Sequence, residues 1–150
     1  MTVFITKRRA TPKLDRRRLQ RHAQRLLKKL EMQGHELSLL LTGDEEMRQL
    51  NSTWRGKDKT TDVLSFSQQE GEGAQVQPNV LGDVVICLPQ AQRQAERRKV
   101  GLWDEVIVLL VHGVLHLVGF EHVGVTPAEA GRMARKQRTL VEFLLSSHGR

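Results

Sequence analysis

A chain of 150 residues, 39% of them hydrophobic, can bury roughly two-thirds of its unfolded surface in a single core without disulfide help, so residues 1–150 are read as one domain. Aromatic residues make up only 4%, with no tyrosine, which argues against the aromatic platforms on which many single-strand binders stack bases. The net charge of +7 is unevenly placed: of 24 Lys and Arg, eleven (Lys7, Arg8, Arg9, Lys13, Arg16, Arg17, Arg18, Arg21, Arg25, Lys28 and Lys29) lie in the first 30 residues, where Asp15 is the one acid. A helix written this way offers phosphates a basic face, with Arg16, Arg17, Arg21, Arg25 and Lys28 as candidate contacts; a merely solvated helix is the alternative. The single cysteine, Cys87, excludes an internal disulfide and sits among apolar neighbours as core filler. No basic leader is followed by an apolar run, and the longest apolar stretch, residues 106–111, is too short to span a bilayer. A soluble, cytoplasmic protein without membrane contact is expected.

In chain order, residues 3–5 form a short strand. Residues 13–32 then place Leu19, Ala23, Leu26, Leu27 and Leu30 at helical spacing, with Gly34 as the stop. A second strand covers 36–41. Thr42-Gly43-Asp44-Glu45 reads as a capping box opening a helix to about residue 51, and 54–61 reads as a loop. Residues 62–66 alternate as a strand, and the polar, Gly-rich 68–79 is a loop. The nearly all-apolar 82–87 is a central strand or one covered on both faces. Pro89 opens a helix to about residue 99, an apolar helix runs over 103–118 and stops at Gly119, and Thr126-Pro127-Ala128-Glu129 caps a last helix to about residue 146. Four strands and about five helices, the helices in excess late in the chain, predict an α+β domain with one small mixed four-stranded sheet.

The chemistry lies in His112-Gly113-Val114-Leu115-His116-Leu117-Val118-Gly119-Phe120-Glu121-His122. Two histidines four apart share a helix face, with Cβ atoms ~5–6 Å apart, a separation from which two imidazoles reach one zinc. Gly119 ends the helix and turns the chain so that His122 comes back toward the same ion. Three protein ligands leave a fourth position open, the mark of catalytic zinc, which lowers the pKa of bound water to about 7. Core histidines are the alternative, but three unpartnered imidazoles in an apolar setting would be costly to bury. His22, His35 and His148 stand in polar surroundings and are read as ordinary. The pattern is like the H-E-x-x-H helix of zinc metalloproteases, except that Gly113 replaces the glutamate general base.

The H-G-x-L-H-L-x-G-x-x-H run resembles that of the YbeY family of bacterial rRNA-maturation endoribonucleases. So do Leu50-Asn51-Ser52-Thr53-Trp54-Arg55, Thr61-Asp62-Val63-Leu64-Ser65-Phe66 and Leu81-Gly82-Asp83-Val84-Val85-Ile86, with Met133 and Gln137 also in keeping. Glu121 departs from the aspartate usual before the third histidine, which keeps the carboxylate. The resemblance implies a zincin-like α+β fold and one zinc ion on His112, His116 and His122. It further implies single-strand endonuclease activity in ribosomal RNA maturation, including the 3′ end of the small-subunit RNA, with the ribosome as partner and no nucleotide cofactor. It also gives Arg55 a role in activity, which residue chemistry supports: a guanidinium binds a phosphodiester bidentately and stabilises the extra charge of its transition state. Asp62 and Glu121 are the candidate general bases, more readily read as a strand-end carboxylate and a partner of the histidines. The strand bearing Ser65 is expected to line the cleft, as an edge strand does in zinc peptidases. A metallopeptidase and a non-catalytic ribosome-associated RNA-binding factor are the rival readings.

Overall fold

The computed structural model describes residues 2–67, 79–119 and 126–146. Strand β1 (Val3–Lys7) pairs in parallel with β2 (Glu36–Thr42), β2 in parallel with β4 (Val80–Cys87), and β3 (Val63–Ser67) antiparallel with β4, giving the order β1-β2-β4-β3. The apolar run of β4 is explained by this order, because β4 is an inner strand with neighbours on both sides. Five helices are seen among the described residues: α1 (Arg16–Lys29), α2 (Asp44–Arg55), α3 (Leu88–Arg98), α4 (Leu102–Leu117) and α5 (Pro127–Leu145). The expected α+β architecture with a mixed four-stranded sheet is therefore observed.

Helix boundaries follow local chemistry. Asp15 caps α1 by accepting from the Arg18 N–H at 3.1 Å, so the helix begins three residues later than periodicity alone places it. The expected capping box at the start of α2 does not form: the Thr42 hydroxyl turns to the Glu46 carboxylate, and the cap residue is Gly43. Nor do Trp54 and Arg55 lie in a loop. They form the last turn of α2, which Gly56 ends at φ 70°. Helix α3 ends as expected at Lys99, which takes a left-handed conformation with φ 60°. The capping box of α5 is realised, with the Thr126 hydroxyl accepting from the Glu129 N–H at 3.1 Å and the Glu129 carboxylate accepting from the Thr126 N–H at 3.2 Å. The Gly-rich loop expected over 68–79 falls, up to residue 78, outside the described residues.

The two sheet faces are unequal. On one, Val3, Leu37, Leu39, Leu41, Val84 and Ile86 meet Leu19, Ala23, Leu26 and Leu27 of α1 and the apolar length of α4, with Met133, Leu140 and Leu144 of α5 closing the core. On the other, α2 sets Met47 against Leu64, Val85 and Cys87, flanked by Leu40, Leu50 and Phe66. Cys87 is buried, and burial pushes its thiol pKa up, as suits an inert core residue. Among the described residues no helix covers the β1 side of this second face: Phe4 is 49% exposed, and Trp54 at the end of α2 is 64% exposed. No single helix among the described residues is long and apolar enough to cross a membrane. Helices α3 and α4 pass such a test only jointly and are bent by 115° at their break.

Helix α4 approaches the sheet closely at Gly113. A Cβ there would lie 2.8 Å from Val84 Cγ1, 3.1 Å from Val84 Cγ2 and 3.2 Å from Ser65 Oγ. Val84 is fully buried, and its β-branched side chain has little rotamer freedom to yield. Gly113→Ala gains about 1 kcal/mol of helix propensity against roughly 1–3 kcal/mol of overpacking. Urea unfolding is expected to show a net loss on the order of 1 kcal/mol, relieved in part by adding Val84→Ala; a more stable single variant would refute the contact.

A second expectation concerns acid. The Arg93 guanidinium donates to both carboxylate oxygens of Asp44, at 2.7 and 3.1 Å, tying α3 to α2 and holding the Asp44 pKa below its ordinary value; Arg8, then Thr42, do the same for Glu46. Groups with depressed folded pKa values contribute stability that is present above the unfolded value of about 4 and lost as pH falls through the folded one. Stability measured by urea should therefore decline below about pH 4, and Arg93→Gln should make that decline shallower. An unchanged slope would show that Arg93 is not the cause.

Candidate active site

His112 and His116, one turn apart on α4, are half-buried, and their Nε2 atoms converge to 3.1 Å with the rings tilted by 56°. Helical spacing brings the rings to one face, and a third element orients one of them. Gln137 of α5 places its Oε1 2.8 Å from His112 Nδ1. An amide oxygen only accepts, so this contact favours the tautomer with the proton on Nδ1, in which the Nε2 lone pair points toward His116. Two nitrogens sharing a tetrahedral zinc at ~2.0–2.1 Å would stand about 3.3 Å apart. The observed convergence, and the fixed tautomer behind it, fit that donor geometry. Gly119 has the expected left-handed conformation, φ 101°, immediately after the helix. His122 and Glu121 lie outside the described residues, as does His148, and among the described residues no group of three potential ligands is assembled.

Strand β3, at the sheet edge, connects this pair to the arginine. Ser65 Oγ donates to the Gly113 carbonyl at 3.0 Å, next in sequence to His112, and the Ser65 carbonyl accepts from Arg55 Nη2 at 2.6 Å. The Arg55 guanidinium also lies over the Phe66 ring, 5.1 Å from its centroid. Exposed at the end of α2, it is held on two sides at the β3 edge. The turn after it is fastened from within: buried Asn51 donates through Nδ2 to the Lys59 carbonyl at 2.9 Å, and its own carbonyl accepts from the Lys57 N–H at 3.2 Å. Asp62 immediately precedes β3, its carbonyl bonded to the Cys87 N–H at 2.9 Å and its carboxylate to the Thr61 hydroxyl at 3.4 Å. These contacts suit a strand-end structural carboxylate.

The basic residues of α1 divide into two groups. Arg16, Arg17, Arg21 and Lys28 are exposed, and Arg16 shares a hollow with Lys7, Arg8, Arg9 and Lys13. Arg25 is half-buried over the Phe143 ring at 4.8 Å, where it joins α1 to α5; as a candidate RNA contact it is in part a packing residue. Helix α1 packs on β1, whereas α4 packs on β3 and β4. The basic helix and the histidine pair thus stand at opposite ends of the sheet.

Sequence reasoning assigned no role to Gln137, although a signal was present: it interrupts the inward stripe of Met133, Leu140 and Leu144 with a polar group, which needs a partner. The partner is His112. The glycine that replaces a protease glutamate also has its reason here. Position 113 faces the sheet, where any side chain collides with Val84, so a carboxylate at this position has nowhere to go.

The family model of endoribonuclease YbeY matches residues 4–145. The chain is 39% identical to endoribonuclease YbeY of Syntrophus aciditrophicus over 149 residues, covering 99% of this chain and 91% of that protein. It is 39% identical to the Geobacter sulfurreducens protein of the same description, covering 96% of each, and 45% identical to that of an Anaeromyxobacter species, covering 93% and 70%. Among solved structures, the solution structure of TM1509 from Thermotoga maritima superposes with a TM-score of 0.64 at 24% identity, covering 93% of this chain and 87% of that one, which shows a shared fold. With 142 residues under the family model and full-length relatives near 40% identity, this chain belongs to the endoribonuclease YbeY family.

Proposed function

We propose that the chain, as one domain over residues 1–150, is a cytoplasmic, zinc-dependent, single-strand endoribonuclease of ribosomal RNA maturation, acting on small-subunit RNA including its 3′ end, in association with the ribosome. The observation that carries this reading is the convergence of His112 and His116 Nε2 at 3.1 Å, joined through Ser65 to Arg55. His112 and His116, with His122 following the Gly119 turn, would hold the ion. When bound, zinc supplies a Lewis acid that acidifies water and withdraws charge from a phosphoryl oxygen. Gln137 keeps His112 in the tautomer that presents Nε2. Arg55 holds the phosphodiester and offsets the charge it gains in the transition state, and the Phe66 ring and the Ser65 carbonyl restrict the guanidinium to the β3 edge. The exposed Arg16, Arg17, Arg21 and Lys28 raise the local concentration of RNA by long-range attraction, screened by salt. A peptidase reading is opposed by the burial of position 113 against the sheet.

The test is metal content measured alongside cleavage of a labelled ribosomal RNA fragment. Wild type should carry one zinc and cut, and His116→Ala should lose both. Arg55→Ala should keep the metal and lose on the order of 10²–10³ in rate. Equal cutting by all three proteins would assign the activity elsewhere. Gln137→Ala should weaken zinc binding about 10–100-fold with the fold retained, read by competition with a chelator; wild-type affinity would make Gln137 a packing residue only.

A further inference from the structure

The sheet face turned away from α4 holds a groove of about 700 Å³ between β1 and the end of α2. Six aromatic residues serve the whole chain, and three of them, Phe4, Trp54 and Phe66, line this groove. The sheet collects them from β1, α2 and β3. The groove is continuous with the Arg55 cluster, since the Trp54 ring meets Phe66 edge-on at 6.2 Å while the Arg55 guanidinium covers Phe66 at 5.1 Å. Its other end reaches Arg8, which is bonded to Glu46 and also lines the basic hollow with Lys7, Arg9, Lys13 and Arg16, where Asp15 is the one acid, as Asp83 is in the groove itself.

These two cationic ends stand at opposite edges of the sheet. Across the order β1-β2-β4-β3 that is three strand spacings, roughly 14 Å at ~4.8 Å each. A nucleic-acid strand with one phosphate at Arg55 and later ones at the basic hollow crosses the open face between them. Its phosphates match the ends, and the flat apolar faces of its bases match the aromatic middle. A protein segment would need acidic ends around an apolar centre to do the same.

We propose that this groove is a nucleobase subsite of the substrate strand: a base next to the phosphate at Arg55 stacks on Trp54, and the strand runs past Phe4 to the basic hollow. The inference rests on the endoribonuclease reading above but adds a surface outside the histidine cleft, on the other face of the sheet. It is tested by stopped-flow quenching of tryptophan fluorescence in a Trp103→Phe background, which leaves Trp54 as the sole reporter. The probes are a short single-stranded RNA and an abasic oligonucleotide of equal length and phosphate number.

The RNA should quench Trp54 and bind more tightly than the abasic strand. Trp54→Ala, followed by anisotropy of a labelled RNA, should weaken binding roughly 5- to 150-fold, the range of one lost base stack, with the salt dependence unchanged because no phosphate contact is removed. Trp54→Phe should keep most of the affinity, and Phe4→Ala, on another element, should give a smaller loss in the same direction. Equal binding of the two strands by wild type, or RNA binding by Trp54→Ala equal to wild type, overturns the subsite and leaves the endoribonuclease reading standing. In that case, loss of a ribosomal protein contact in Trp54→Ala would assign the groove to a protein. No binding of RNA by wild type even at low salt would instead sink the reading on which the subsite rests.

Discussion

The close approach of α4 to the sheet at Gly113 is the constraint on which the site depends. Side chains normally intervene between a helix and a sheet; here one position has none, and the helix backbone comes within reach of Ser65, whose hydroxyl bonds the Gly113 carbonyl. That carbonyl lies in a helix interior, and the added donor fixes the helix at the residue beside His112. The histidine pair is thereby registered against the edge strand, not merely presented by a helix. The same contact removes the glutamate of a metalloprotease helix from consideration on steric grounds, because the position that would hold it is occupied by Val84.

Strand β3 transmits this constraint in both directions. Its Ser65 hydroxyl faces α4, its Ser65 carbonyl holds Arg55, and its Phe66 ring turns to the other face, where it meets both the guanidinium and the indole of Trp54. Alternation along an extended strand makes this possible: successive side chains point to opposite faces, so two neighbouring residues serve two surfaces. Among the described residues β3 is also an edge strand, paired by the sheet on one side.

Polar groups buried away from the histidines hold the supports in place. Asn51 closes the turn that follows Arg55. Glu105, almost wholly buried, accepts from Gln94 at 2.8 Å and Arg98 at 3.3 Å and so fixes α3 against α4. Each is a group whose burial is costly unless satisfied. Their bonds are made across elements, so loss of one partner would loosen the relation between elements rather than a single element.

Local pattern determined much of this protein. The period of apolar residues gave α1 and α4, the Thr126 box gave the start of α5, and the i, i+4 histidines gave the pair at the centre of the site, because each depends only on residues within a turn or two of one another. The ends of α2 were less legible. There Thr42 found Glu46 instead of a backbone N–H, and the helix ran on through Trp54 and Arg55 to Gly56. What tertiary structure alone decided is which distant residues meet: Gln137 with His112, Ser65 with both Gly113 and Arg55, and Phe4 with Trp54 and Phe66 along one groove. Such contacts join residues tens of positions apart through packing of several elements at once, and no periodicity within one element carries that information.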